Sequence, residues 1–288
     1  MGRVGVDLYP NQVSTPLSEV RTYTRFVGGF AGNVAAGLAR LGVRAAIVSR
    51  VGREGHGEFV RNWLAGEGVD VRWLAQDPYW PTPPTFCEVW PPDHFPITFY
   101  RRPTAPDWQL VLEDFELAEA AQAPLLYATG TGLAQSPSRE TTLDALKAHR
   151  GTTIFDLDWR PTLWDDPDEY PRVAAEAAAA ADVVIGNQEE VEAARLGEVR
   201  TLVLKRGEHG ATLIEEGEET DVAGFPVEVV NGLGAGDAFA AAFGQALLRG
   251  MSLVEAVQRG TVAGALVASR LACSEAMPRL EELEAALV

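Results

Sequence analysis

The feature that most constrains this chain is a glycine-rich turn at residues 231–239, with the sequence NGLGAGDAF. An apolar run at 227–230 precedes the turn and predicts a short strand. The small residues at 238–248 follow it and predict a helix. Three glycines leave no side chain between a ligand and the backbone of the turn. The sequence therefore predicts a strand, a tight turn and a helix in immediate succession, with accessible amides where the helix starts.

The chemistry of this turn is that of an anion site. The amides of Gly234, Ala235 and Gly236 fall near the start of the helix, where amides have no intrahelical partners and the helix dipole is positive. Asp237 lies inside the site, where a carboxylate would repel phosphate unless it has a chemical role. The role that fits is to accept the proton of a hydroxyl group that attacks phosphorus. The alternative is a structural turn in which Asp237 only stabilises the helix start.

Strand and helix signals alternate along most of the chain, which predicts an α/β fold with a mostly parallel sheet. The clearest strand signals are apolar runs at 45–48, 125–129, 153–157, 182–186 and 200–205. Helical patterns lie between these runs, and a small antiparallel edge is predicted from 210–214 and 219–223.

Residues 81–102 interrupt this alternation. β-rich runs at 85–90 and 97–101 flank a turn, and no helical pattern separates them, so a hairpin is predicted. We interpret it as a small β lid beside the main sheet, because it ends on a pair of arginines in an otherwise acidic chain. The alternative is an ordinary hairpin at a sheet edge.

Composition excludes several classes of function. A formal net charge of −17 argues against nucleic acid or an anionic membrane as a partner. The chain has no apolar stretch of about 18 residues and no basic, apolar leader, so neither a membrane span nor secretion is expected. The two cysteines, Cys87 and Cys273, lie far apart and provide no zinc spacing or disulfide framework. We therefore expect a cytoplasmic protein.

Two segments carry a family resemblance. Residues 231–239 resemble the C-terminal signature of the ribokinase-like (PfkB) sugar kinases, and residues 26–33 (FVGGFAGN) resemble the N-terminal one. The similarity covers essentially the whole chain. It implies one kinase domain over 1–288, built as a three-layer α/β/α sandwich with a mostly parallel central sheet. It also implies a β lid from about 81–102 plus part of 8–28, with ATP and Mg²⁺ as cofactors.

The resemblance assigns roles around the acceptor. It implies that Gly234, Ala235 and Gly236 form the anion hole for the transferred phosphoryl group and that Asp237 is the catalytic base. Contacts to the substrate are expected from five residues near the N-terminus: Asp7, Asn11, Gly28, Gly29 and Asn33. On spacing alone, the glycine pair could instead be a turn that lets the next helix approach closely.

Two arginines are candidates for binding a substrate carboxylate, because a guanidinium pairs with carboxylates through two parallel bonds. Arg101 ends the predicted lid and Arg160 follows a strand, so both could face one cleft. Arg160 could instead bind a phosphate or form a structural pair with Asp158.

The resemblance also implies residues that contact the nucleotide. Asn187 and Glu190 form a capping-box pattern, and they also match the family's Asn-x-x-Glu motif, which helps to set magnesium and phosphates. Mg²⁺ keeps several waters, so Glu190 is expected to act indirectly through water. Lys205 and Gly207 follow a strand at the edge where such folds bind ligands, although a solvated basic turn is the alternative.

Three further residues complete the nucleotide assignment. Gly232 belongs to the glycine-rich turn, while Gly264 and Val267 lie in a small-residue stretch that the resemblance assigns to the adenine pocket. Close helix packing is the competing explanation for that stretch. Asn231 stands where the family usually has an aspartate that helps to bind a monovalent cation, so a strong potassium effect is not expected.

The similarity is sharpest to family members that phosphorylate keto-deoxy sugar acids of myo-inositol breakdown. It is carried by residues 2–10 (GRVGVDLYP), 85–88, 91–93, 99–101 and 231–234. It implies a six-carbon keto-deoxy acid as substrate, phosphorylated by ATP on its terminal C6 hydroxyl. In the family an apolar run precedes residues 3–8, so we expect a short first strand or a chain that begins late.

Three alternatives stay open. They are a kinase of an isomeric 2-keto-3-deoxy acid, a fructokinase-like enzyme acting on a neutral sugar, and a sugar or nucleotide sensor without catalysis. Asp237 argues against the sensor, because a binding module gains nothing from a carboxylate that faces phosphate. Exposed lid strands often pair between subunits, so a homodimer through the lid is a further expectation.

Overall fold

The computed structural model describes all 288 residues. In chain order, the strands are β1 (Gly5–Pro10), β2 (Tyr23–Gly28), β3 (Ser49–Gly52), β4 (Leu74–Asp77), β5 (Pro84–Cys87), β6 (Ile97–Phe99), β7 (Leu125–Thr129), β8 (Thr152–Asp156), β9 (Val183–Asn187), β10 (Thr201–Lys205), β11 (Ala211–Glu215) and β12 (Glu218–Val222). The α-helices are α1 (Phe30–Arg40), α2 (Gly55–Gly66), α3 (Leu117–Ala120), α4 (Ser138–Ala148), α5 (Tyr170–Ala179), α6 (Gln188–Ala194), α7 (Ala235–Leu248), α8 (Leu253–Ala268) and α9 (Leu280–Ala286).

The main sheet has six strands in the order β12-β11-β10-β9-β8-β7. Strands β7 to β10 run parallel, and β11 and β12 add antiparallel at one edge. Apolar side chains along the strands alternate between two buried layers, as a sheet covered on both faces requires. Ile154 and Ile185 pack into the layer that contains α1, α7 and α8, whereas Phe155 and Val184 pack into the layer with α4 and α5. The predicted three-layer α/β/α sandwich is confirmed.

A second, smaller sheet has the strand order β2-β1-β5-β6. β1 pairs antiparallel with β2 and parallel with β5, and β5 pairs antiparallel with β6. An isolated bridge between Trp90 and His94 closes the turn between β5 and β6. Strands from residues 8–28 and from 81–102 therefore share one sheet, which we call the small sheet. β3 and β4 form a separate parallel pair.

Two sequence predictions of strands are wrong. Residues 227–230 form no strand, because the amides of Val230 and Asn231 donate to the carbonyl of Ala268, at 2.9 and 3.0 Å, instead of to a neighbouring strand. The predicted strand at 45–48 contributes a single bridge at Ala46, and β3 lies just after it. No helix has the length and apolar character needed to cross a membrane.

Candidate active site

A cavity of about 340 Å³ lies between the main sheet, the start of α7 and the small sheet. The ends of three parallel strands contribute Asp156, Asn187 and Lys205 to its wall. Ligands in open α/β sheets bind outside the carboxyl ends of the strands, and this cavity lies at that edge. The small sheet contributes Tyr9 and Phe99 on the opposite side.

The start of α7 presents bare backbone to the cavity. Gly234 caps the helix with φ of 86°, a left-handed conformation that favours glycine. A Cβ added to Gly236 would meet nothing nearer than Lys205 Nζ, at 3.5 Å, so a ligand can reach the backbone there. The helix begins three residues earlier than the sequence predicted, and Asp237 therefore lies in its first turn.

Asp237 is held by a residue from the other end of the chain. Asn33 Nδ2, on α1, donates a hydrogen bond of 2.6 Å to Asp237 Oδ2. Burial raises the pKa of Asp237, while the bond from Asn33 and the charges of Arg3 and Lys205 oppose this rise. Asn33 is 2% exposed, and its Oδ1 is buried without a hydrogen-bond partner. The pair therefore offers the cavity a carboxylate base and a free amide acceptor.

Asp7 is a second buried carboxylate in the cavity wall. It lies on β1 with 8% exposure. Burial raises its pKa to about 6; Asp237 adds to the rise and Arg3 opposes it. Gly28 on β2 makes room for this group, because a Cβ there would overlap the Asp7 carboxyl group. The glycine at 28 therefore serves the placement of Asp7.

Charged side chains cluster at the strand ends. Lys205 Nζ lies 3.1 Å from Asp156 Oδ2, and Arg160 pairs with Asp158 at 3.3 Å and with Glu190 at 3.4 Å. Burial raises the pKa of Asp156 and the ammonium of Lys205 opposes this rise. Asp156 in turn raises the pKa of Lys205, so the ammonium stays protonated beside the carboxylate.

Glu190 caps the start of α6 through hydrogen bonds with Asn187 and also lines the cavity. Asn187 Oδ1 accepts from the Glu190 amide at 2.9 Å, and Glu190 Oε2 accepts from the Asn187 amide at 2.9 Å. This is the predicted capping box. Both residues also line the cavity, so the nucleotide-binding interpretation stays a prediction beside the confirmed capping box.

The comparisons with known proteins agree with this geometry. The pfkB family of carbohydrate kinases matches residues 1–280. The chain belongs to the PfkB family of carbohydrate kinases. It is 33% identical over 307 residues to a 5-dehydro-2-deoxygluconokinase from Clostridium tetani, with 99% of this chain and 90% of that protein covered.

Solved structures of sugar kinases share the fold. An uncharacterised sugar kinase from Pyrococcus horikoshii in complex with ATP matches with a TM-score of 0.88 and 27% identity, covering 98% of this chain and 95% of the other. A fructokinase from Vibrio cholerae with bound fructose, ADP and calcium matches with a TM-score of 0.87 and 28% identity, covering 100% of this chain and 97% of the other.

Most residues that the sequence analysis selected lie together. The following line the cavity: Asp7, Gly29, Asn33, Arg160, Asn187, Glu190, Lys205, Gly207, Gly232, Gly234, Gly236 and Asp237. Ala235 is the first residue of α7, between two glycines of the wall. Gly29 has φ of 89°, and a Cβ there would lie 2.5 Å from the Arg3 carbonyl oxygen. The close approach that spacing alone predicted for the glycine pair is therefore also present.

The structure gives no support to the predicted contact between Arg101 and the substrate. It is 3% exposed, forms a buried ion pair with Asp107 and stacks over the ring of Trp108 at 4.4 Å. Its charge is therefore paired and its planar face is stacked within the protein, and it does not line the cavity. The sequence suggested a free cation at the end of the lid, but could not show the buried aspartate six positions further along.

Three other predicted contacts also lie elsewhere. Val267 is fully buried in the core, and a Cβ on Gly264 would lie 3.0 Å from the Ala235 carbonyl oxygen. These two residues pack α8 against α7, which was the competing explanation. Asn11 is exposed, and its Oδ1 accepts from Thr24 Oγ1 at 2.7 Å next to the small sheet.

The sequence analysis assigned no site role to Arg3, Asp156 or Asp158, all of which line the cavity. The alternation of side chains along an extended segment could have identified them, because residues separated by an even number of positions lie on the same face. Arg3 and Asp7 are four positions apart on an extended segment, and Asp156 and Asp158 are two apart at the end of β8. Each pair therefore falls on one face.

Proposed function

We propose that this chain is an ATP-dependent sugar-acid kinase that phosphorylates the C6 hydroxyl of 5-dehydro-2-deoxy-D-gluconate in myo-inositol breakdown. The observation that carries the proposal is Asp237, a carboxylate in the first turn of a helix whose N-terminal glycines line the cavity. The relative from Clostridium tetani, which aligns with 99% of this chain, supports the choice of substrate.

Asp237 is the proposed general base. Its Oδ2 is held by Asn33, so the carboxylate has one fixed orientation from which to take the proton of the attacking hydroxyl. Burial raises its pKa and makes it a stronger base than a free aspartate. The amides of Gly234 and Gly236 stabilise the negative charge of the transferred phosphoryl group. The Ala235 amide donates a long bond of 3.3 Å to the Gly232 carbonyl, and joins them in the proposed anion hole when it exchanges this bond for one to phosphate.

Acceptor and nucleotide occupy opposite sides of the proposed base. Asp7, Gly29 and the free Oδ1 of Asn33 provide acceptors and backbone for the substrate hydroxyls. Lys205 and Arg160 carry positive charge at the strand ends, where it offsets that of the ATP phosphates.

Mg²⁺ fits this site only as an ion held mainly by phosphates and water. No group of three His, Cys, Asp or Glu side chains converges closely enough to hold a metal ion. Oxygen donors with few direct carboxylates suit Mg²⁺. When bound it would neutralise phosphate charge, with Glu190 acting through water.

We also propose that the chain is a single kinase domain whose small sheet acts as a lid. Tyr9, Thr85, Cys87 and Phe99 of the small sheet line the cavity, which supports this role. β6 is an edge strand with Tyr100, 59% exposed, directly after it, and such an edge could pair with a second copy. A cytoplasmic location is consistent with two buried, free cysteines.

An ADP-release assay over a panel of acceptors tests the substrate. The panel is 5-dehydro-2-deoxygluconate, 2-keto-3-deoxygluconate and fructose. We expect the highest kcat/KM for the first acid. A higher value for fructose would indicate a fructokinase-like enzyme, and a higher value for the isomeric acid would replace the proposed substrate.

The Asp237→Asn variant tests the mechanism. Loss of the base should lower kcat by roughly 10²–10⁴-fold with ATP binding retained. Asp168→Asn, at an exposed position, is the matched control. More than about a tenth of the wild-type kcat in Asp237→Asn would remove the residue from the role of base.

A further inference from the structure

Arg3 is the arginine in the cavity whose charge the protein leaves available. Its side chain lines the cavity, and its Nε is buried without a hydrogen-bond partner. The guanidinium carbon stands 5.3 Å from the centre of the Phe99 ring, so one face rests on an aromatic surface. Arg160, the other arginine of the wall, is already paired with Asp158 and Glu190.

The backbone of Arg3 is fixed on both sides. Its carbonyl oxygen accepts from the Ala31 amide at 3.0 Å, at the start of α1. The next amide, that of Val4, donates to Asp107 Oδ2 at 2.9 Å, and Asp107 is the buried partner of Arg101. Arg101, which the sequence predicted to contact the substrate, therefore belongs to a buried pair that positions the segment carrying Arg3.

Arg3 lies on the acceptor side of the cavity. Its charge lowers the pKa of Asp7 and of Asp237, so it stands near the proposed substrate-binding carboxylate and the proposed base. Arg160 instead lies among the groups at the strand ends, on the proposed nucleotide side. Arg3 is half-buried and its Nε has no hydrogen-bond partner in the protein, so its guanidinium is available to bind an anion in the cavity.

We infer that Arg3 binds the carboxylate of the sugar-acid substrate and so determines selectivity for acids over neutral sugars. The inference rests on the proposed function, in which the carboxylate and the phosphorylated hydroxyl lie at opposite ends of the substrate. A chain of net charge −17 repels an anionic substrate at long range, and a local, fixed cation overcomes this within the cavity.

The test uses Arg3→Gln, which removes the charge, and Arg3→Lys, which keeps the charge without the planar fork. Arg21→Gln, at an exposed position, is the matched control for the change in net charge. KM and kcat are measured with 5-dehydro-2-deoxygluconate and with fructose, and the Kd of the acid is measured by calorimetry in the presence of ADP. Thermal unfolding confirms that each variant is folded.

Arg3→Gln should raise KM and Kd for the acid by roughly 10- to 150-fold, the worth of one charge-assisted hydrogen bond. Its KM for fructose should change by less than about threefold, and Arg3→Lys should fall between wild type and Arg3→Gln. If the wild type prefers the acid and Arg3→Gln keeps that preference, the role of Arg3 is overturned while the proposed function stands. If the wild type shows no preference for the acid, both are overturned.

Discussion

Replacing Gly28 with alanine should damage the acceptor site while leaving the rest of the fold intact. A Cβ at this position would overlap three atoms of the Asp7 carboxyl group, and no other neighbour is as near. Real Cβ atoms essentially never approach other atoms within 3.0 Å, so the carboxyl group must withdraw by about 1 Å. Asp7 is 8% exposed, which leaves little space for the movement.

Two magnitudes follow from this displacement. A misplacement of about 1 Å at a positioned group can cost about 100-fold in rate, so kcat/KM for the acid should fall by about that factor. The free energy of unfolding should fall by about 1–3 kcal/mol, the usual cost of forcing extra volume into a packed site. The measurements are the ADP-release assay and urea unfolding.

The control is Gly66→Ala at the end of α2, where an added Cβ meets nothing within 4 Å. It should leave activity unchanged and alter stability by no more than about 1 kcal/mol. A double-mutant cycle of Gly28→Ala with Asp7→Ala isolates the clash, because removing the carboxyl group should abolish the stability cost of Ala at 28. Activity of Gly28→Ala within about threefold of wild type, or strict additivity in the cycle, would refute the reasoning.

Three other outcomes are expected. Burial raises the pKa of Asp7 to about 6 in the folded protein, above its usual value of 3.8, so this burial costs stability as pH rises through that window. Asp7→Asn should remove up to about 3 kcal/mol of the loss, measured as the free energy of unfolding between pH 4 and pH 8. Asn33→Leu removes the bond that lowers the pKa of Asp237, and should move the acidic limb of the kcat/KM profile to higher pH. EDTA should abolish activity until Mg²⁺ is restored. K⁺ in place of Na⁺ should have little effect, because Asn231 is neutral and its side chain already donates to the Leu271 carbonyl and accepts from the Leu233 amide.

The main sheet could be predicted because each strand is marked by an apolar run within a few consecutive residues. Strand β7 lies at 125–129, where the apolar run predicted it. The two-residue period of strands such as 183–187 also specifies which side chains meet which helical layer. The failed strand at 227–230 marks the limit of this reasoning, since an apolar run becomes a strand only where a neighbouring strand accepts its amides. Here the carbonyl of Ala268 accepts from the amide of Val230, at the end of the run, and from that of the next residue, Asn231.

The site could be predicted only in part, because its electrostatics depend on pairs that are distant in sequence or hidden by burial. The resemblance found Asp237 and Asn33 separately. The end of the predicted lid pointed to Arg101, whose ion pair with the buried Asp107 is visible only in the structure. Arg3 was not selected, because the absence of a hydrogen-bond partner for its Nε is likewise visible only in the structure. Charge counts locate cations, but the structure decides which of them remain available to a ligand.

The hydrogen bond between Asn33 and Asp237 depends on how closely two helices pack. It joins residues 204 positions apart, on α1 and α7. A Cβ on Gly37 would lie 2.7 Å from the Ala241 Cβ, so α1 and α7 approach each other through small side chains one turn beyond the site. Small residues at such a contact let helices pack at short axial distances. The alanine-rich composition of α7 therefore brings the N-terminal and C-terminal signatures within hydrogen-bond reach, and the orientation of the proposed base is a property of the helical layer.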